Sequence, residues 1–391
     1  MGWIHRVLAV TVGATACSAT TPAGTGSGTS SGSSSGGAGT TDPGTTAPAP
    51  ETTSSADEGS SDATTATESS GGIPIIFDVG DMPATTGSDS TTGEPMFDCS
   101  NIPALPVEAT VVRQVPGGED LEFDAHGNLV LAVRGQNALF LIPREGDQVL
   151  LNPDINLTST AGTAVLPDGD IVVADEFSPL IARVDPDTGQ MTPITYGPGI
   201  GGCNGLVVGS DGMMYCATYW DGPPTSGVAR IDPDTGEAEF LHQAAGIDGI
   251  TFAADETYLY FNEGEFYGGG TGHLFRAPFD GDELGEVEDL GPPLAATQGT
   301  VDGMVADVCG NVYIATQGLN SPQCAGSSAV RVTPDDEVEI VACLGNGAFT
   351  PGAAFGSGVG GWEADALYLI DWLGVVWEIP VGVPGARLPH L

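Results

Sequence analysis

The sequence predicts an all-β fold, a six-bladed β-propeller, and three observations carry that expectation. One phrase recurs five times, as EDLEFDAHGNLVLAV from Glu119, AGTAVLPDGDIVVAD from Ala161, NGLVVGSDGMMYCAT from Asn204, DGITFAADETYLYFN from Asp248 and DGMVADVCGNVYIAT from Asp302. Each reads as a β-hairpin, two short strands about a turn rich in Gly, Asp and Asn. A glycine near the start of the phrase recurs at Gly162, Gly205, Gly249 and Gly303, at intervals of 43, 44 and 54 residues, the length of a four-stranded blade. From Val107 onward, short apolar runs alternate with Gly, Pro, Asp and Asn, with no sustained helical period.

The first 17 residues have a different texture. His5 and Arg6 precede the apolar run Val7–Ala14 and then Ala14-Thr15-Ala16-Cys17. A run this short before small residues is a secretory signal, too short to span a bilayer. The Ala-Thr-Ala-Cys ending resembles a bacterial lipobox, which implies that Cys17 becomes a lipidated N-terminus. Ordinary signal cleavage, with Cys17 incidental, is the alternative. Residues 18–98 are dominated by Ser, Thr, Gly, Ala and Pro and lack the apolar content to offset the entropy of ordering, so they read as a disordered tether. Within it, the apolar run Ile73–Phe77 is read as a sticky patch. The expected location is the bacterial cell envelope, with the protein exported and held by lipid to the outer membrane or cell surface.

The propeller is expected over residues 99–391. An early strand, Ala109–Val115, precedes the first hairpin without a partner of its own. Blades then open at Glu119, Ala161, Asn204, Asp248 and Asp302, and a sixth occupies Gly352–Pro380 with strands at Ala366–Ile370 and Val375–Ile379. That last blade lacks an outer strand, so the early strand completes it and closes the ring without an exposed edge. A second repeated signal, Arg183-Val-Asp-Pro-Asp-Thr-Gly189 and Arg230-Ile-Asp-Pro-Asp-Thr-Gly236, marks outer turns in which Pro fixes one φ and Gly accepts a positive one. Arg331-Val-Thr-Pro-Asp-Asp336 is a weaker copy.

Charge narrows the partners. Nine basic residues, all arginine, stand against 52 acids for a net charge of −43. Such a surface repels phosphate backbones, which excludes nucleic acid and leaves membrane contact to the lipid anchor alone. A monomer is expected. Beyond Cys17, six cysteines allow 15 pairings, which hairpin register narrows. Cys203 and Cys216 flank one hairpin at nearly opposite positions, Cys324 and Cys343 flank another, and Cys99 with Cys309 remains. No Cys-x-x-Cys spacing suggests a metal, so disulfides in an oxidising compartment are expected.

Aligning the hairpins on Gly127, Gly169, Gly212 and Gly310 puts one position at the start of each innermost strand, held by Glu119, Ala161, Asn204, Asp248 and Asp302. Innermost strands surround a propeller's channel, so four oxygen-bearing side chains are brought towards its mouth. Three carboxylates and one amide, without His or Cys, suit Ca2+, or Mg2+, better than zinc or copper. Loops between second and third strands carry Phe177, Tyr219, Trp220, Glu263, Phe266, Tyr267 and Trp372. Of these, Tyr219, Trp220 and Glu263 are the candidate substrate contacts, while Phe177 and Trp372 are expected to pack neighbouring blades.

The hairpins and their openings, Gly118-Glu119, Asn204, Asp248-Gly249 and Asp302-Gly303-Met304, resemble the family of senescence marker protein (regucalcin), gluconolactonases and related six-bladed lactonases, over about Val107 to Pro380. The resemblance implies a metal held by Glu119, Asn204, Asp248 and Asp302, with Asp302 as general base for hydrolysis of a lactone or ester. Two positions depart from the pattern. Asp248 stands where the family has Asn, and Gly202 and Cys203 stand where it carries a substrate-binding arginine, so sugar-lactone specificity does not carry over. A non-catalytic Ca2+-binding propeller serving as an interaction module is the alternative function.

Overall fold

A computed structural model describes residues 97–386 except 135, 137, 153–156, 198, 220–223, 265–271, 293–299, 321–323 and 346–347. The signal, Cys17, the tether to residue 96, Trp220, Phe266 and Tyr267 lie outside the described residues. The described chain forms six four-stranded antiparallel sheets and, among the described residues, no helix. The innermost strands are Asp120–Phe123, Thr160–Val165, Cys203–Val208, Ile247–Phe252, Thr300–Ala306 and Gly352–Phe355, for blades one to six. In blade six the outer strand is Thr110–Gln114, with Thr110 opposite Glu378. The first strand of the domain therefore closes the ring, as its sequence position implies.

Core packing lies between neighbouring blades. Phe123 of blade one, for example, meets Trp362 and Tyr368 of blade six at centroid distances of 5.2 and 5.4 Å. Arginines reinforce the same seams: Arg183 pairs with Asp234 of the next blade, Arg230 with Asp282, and Arg276 with Asp336. Asp234 and Asp336 belong to the repeated outer turns, so that motif clasps one blade to the next. Disulfides join Cys203 to Cys216, Cys324 to Cys343 and Cys99 to Cys309.

Close approach explains the periodic glycines. A Cβ on Gly162 would lie 2.6 Å from the Asn204 carbonyl oxygen, one on Gly205 2.4 Å from that of Asp248, and one on Gly249 2.4 Å from that of Asp302. Each innermost strand thus presses its backbone against the next blade at the site-forming position, where a side chain has no room. The pairing register also shifts there, between Thr160 and Thr163, Cys203 and Gly205, Ile247 and Ile250, and Val301 and Met304. Such irregularities re-aim a side chain out of the sheet's alternation.

Candidate functional site

Glu119, Asn204, Asp248 and Asp302 all line the central channel, together with Asp120, Glu122 and Pro351. Ala161 takes the equivalent place in blade two and supplies no donor. Asn262, buried on the second strand of blade four, accepts the Gly249 N–H at 3.1 Å and donates to the Asp302 carbonyl at 2.6 Å. One side chain thereby ties two site-bearing strands together.

Electrostatics concentrate at this ring. Burial pushes the Glu119 carboxyl up to about 8, with Glu176 and Asp248 adding repulsion against the pull of Arg134. Asp248 is pushed up to about 7, again by burial first and then by Glu176. Asp302 is raised well above the usual carboxylate value by burial, then by Asp248 and Glu119. Gln317 donates to Asp302 Oδ2 at 3.0 Å. Further along the channel Asp120 and Glu122 are likewise raised by burial, to about 7 and about 8. A Cβ on Gly264 would lie 2.0 Å from Asp248 Oδ2, so a glycine makes room for that carboxylate.

The donor chemistry suits a hard divalent cation. Asp248 Oδ1 is buried with no hydrogen-bond partner, and Glu176 repels its charge while Arg134 attracts it. A buried carboxylate oxygen left unmatched costs free energy that a cation offsets. Among the described residues, however, no three His, Cys, Asp or Glu side chains are grouped closely enough to hold a metal. Glu119 is engaged elsewhere: its Oε1 accepts from Arg134 at 3.1 Å and its Oε2 from the Trp372 indole at 2.8 Å.

Trp372, expected to pack a neighbouring blade, reaches blade one from blade six: its N–H donates to Glu119 and its ring faces Arg134, while the same ring lies 4.0 Å from that of Phe349. Phe177, also expected to pack between blades, is 52 % exposed. Tyr219 and Glu263 approach one another beside Gly246, where a Cβ would find Glu263 Cγ at 3.6 Å and Tyr219 at 4.0 Å, but neither lines the channel. Sequence reasoning missed Arg134, Glu176, Gln317 and Asn262. Arg134 and Glu176 lie just past the end of a second strand, and Asn262 and Gln317 lie within its last few residues. An antiparallel hairpin puts that end beside the start of the first strand, so the position was accessible to the same register argument.

The model of the SMP-30/gluconolactonase/LRE-like region matches residues 121–344. No curated protein matches the chain. Among solved structures, a gluconolactonase from Xanthomonas campestris is 17 % identical with a TM-score of 0.54, covering 71 % of this chain and 89 % of its own. A calcium-binding regucalcin from Agrobacterium tumefaciens is 18 % identical with a TM-score of 0.55, covering 72 % and 96 %. A luciferin-regenerating enzyme is 15 % identical with a TM-score of 0.54, covering 72 % and 99 %. At these identities the structural likeness speaks for the fold.

Proposed function

Because this chain belongs to the SMP-30/gluconolactonase/LRE-like family, we propose that its channel ring is the active site of a metal-dependent hydrolase acting on a lactone or an ester. The observation that carries this reading is the nearness of Asp302 to Asp248, two buried carboxylates of which Asp248 raises the proton affinity of Asp302, while Asp248 Oδ1 has no partner. Glu119, Asn204, Asp248 and Asp302 would hold the cation. When bound, it would supply positive charge that keeps these acids ionised and polarises the substrate carbonyl.

Asp302 does the proton work. Gln317 holds one oxygen of Asp302, which lines the channel. A buried carboxylate that has been ionised is a stronger base than an exposed one, so it draws a proton from water attacking the carbonyl. Asn262, through the Gly249 amide and the Asp302 carbonyl, keeps the base and its neighbour in register. Tyr219 and Glu263, outside the channel, would meet the remainder of the substrate.

Asp302→Asn separates the roles. The amide retains an oxygen ligand but accepts no proton, so hydrolysis of a panel of lactones and aryl esters should fall about a hundredfold or more. Ca2+ affinity, measured by calorimetry, should change far less. A wild-type protein that binds Ca2+, melts higher with it and opens nothing on the panel would be a cation-binding interaction module instead.

A further inference from the structure

Arg134 follows the second strand of blade one, Asn128–Val133, at the same end of the hairpin as Glu119. Its Nη1 donates to Glu119 Oε1 at 3.1 Å and its Nη2 to Glu176 Oε1 at 2.6 Å. The Glu176 side chain is wholly buried, whereas that of Arg134 is 28 % exposed. Ser159 donates its hydroxyl to the same Glu176 oxygen at 2.8 Å, anchoring the acid from blade two. Trp372 completes the cluster, with its N–H on Glu119 Oε2 at 2.8 Å and its ring centroid 5.6 Å from the guanidinium carbon. Each oxygen of Glu119 therefore already accepts a hydrogen bond, in contrast to the partnerless Asp248 Oδ1.

The other described arginines are committed away from the ring. Arg113 donates to the Gly146 carbonyl, Arg144 pairs with Glu378, and Arg183, Arg230, Arg276 and Arg331 pair with acids on outer strands and turns. Arg134 alone among them bridges the channel acid Glu119 and the buried Glu176 of the next blade.

We propose that Arg134 is an internal competitor for the ring: its guanidinium and a divalent cation contend for Glu119, and cation binding releases Arg134 from that carboxylate. This rests on the reading of the ring as a cation site. Two cations cannot share these oxygens, because a divalent ion at coordinating distance from Glu119 would face the guanidinium directly, in surroundings that screen charge poorly. Glu176 then keeps hold of the released side chain. Its bond to Nη2 does not involve Glu119, so the guanidinium stays beside the ring, tethered to blade two.

The test uses the wild-type full chain and an arginine-directed dicarbonyl reagent, with CaCl2 or with EDTA, and maps the labelled peptides by mass. Arg134 labelling should rise several-fold with Ca2+ while that of Arg230 stays constant. Unchanged or reduced Arg134 labelling overturns the proposal. Calorimetry with Ca2+ gives a second reading: Arg134→Gln should bind about tenfold tighter, the scale set by losing one charge-assisted hydrogen bond, and equal or weaker binding overturns the competition. Should that variant fold poorly, the labelling result stands alone. Wild-type turnover of the lactone and ester panel is scored separately. Ca2+-dependent turnover with indifferent Arg134 labelling overturns the competition alone, whereas Ca2+-released Arg134 without turnover overturns the catalytic reading alone.

Discussion

Glu119, Asp248 and Asp302 owe their raised proton affinity first to burial and then to other acids, and this sets a pH dependence. A carboxyl whose folded-state value is raised contributes stability that is complete below its ordinary value and lost as pH climbs through the folded one. For Glu119 that window runs from 4.5 to about 8, and for Asp248 from 3.8 to about 7. With EDTA, the melting temperature should therefore fall as pH rises from about 5 to about 8. The increment gained from Ca2+ should grow over the same range, since the ligands must be ionised to bind. Thermal melts at several pH values, with and without Ca2+, check both; a Ca2+ increment that is flat or larger at low pH would remove these acids as ligands. At this scale the acids were legible because each opens a repeated phrase. Arg134 and Glu176 were missed although the register argument reaches the positions they hold, since it does not show that the two meet each other across neighbouring blades.

The innermost strand is the element that makes the site, through a glycine and a register shift at one position. Gly249→Ala would put a methyl 2.4 Å from the Asp302 carbonyl oxygen, a backbone atom that cannot move without moving the ring. The expected loss is about 1–3 kcal/mol of stability, with weaker Ca2+ binding because Asp248 and Asp302 shift together. Gly169→Ala is the contrast. Its Cβ meets nothing within 4 Å, and the cost arises only from a φ of 93°, at a turn remote from the ring. Denaturant unfolding should find both variants destabilised, whereas calorimetry should find only Gly249→Ala impaired in Ca2+ affinity; equal affinities would detach the glycine from the site. The glycine period was readable in the sequence, but its cause was not, because the atom each glycine avoids belongs to the next blade, more than forty residues away. Blade four shows the opposite case: Glu256 takes the turn position held elsewhere by glycine, at φ 55°, and its carboxylate is drawn to Ser210 of blade three.

Across the whole molecule, two devices join the beginning of the propeller to its end. Strand Thr110–Gln114 covers the edge of Val375–Ile379, and the Cys99–Cys309 disulfide, spanning 210 residues of sequence, ties the segment ahead of that strand to blade five. They act on different states. A cross-link over so long a loop chiefly restricts the unfolded chain and contributes about 2–5 kcal/mol, whereas the strand removes an open edge from the folded one. Replacing both cysteines by serine should therefore lower the melting temperature and leave the oligomeric state unchanged. Deleting residues 97–115 should do more, because it strips the same cross-link and also bares the backbone donors and acceptors of Val375–Ile379, together with Val376, which the first strand helps to cover. An unpaired, flat and largely apolar strand templates pairing with another copy, so this variant should dimerise or aggregate under conditions where the double serine variant does not. Sedimentation of the two side by side decides the matter: a deletion that sediments and melts like the double serine variant would mean that the first strand is not what closes the ring.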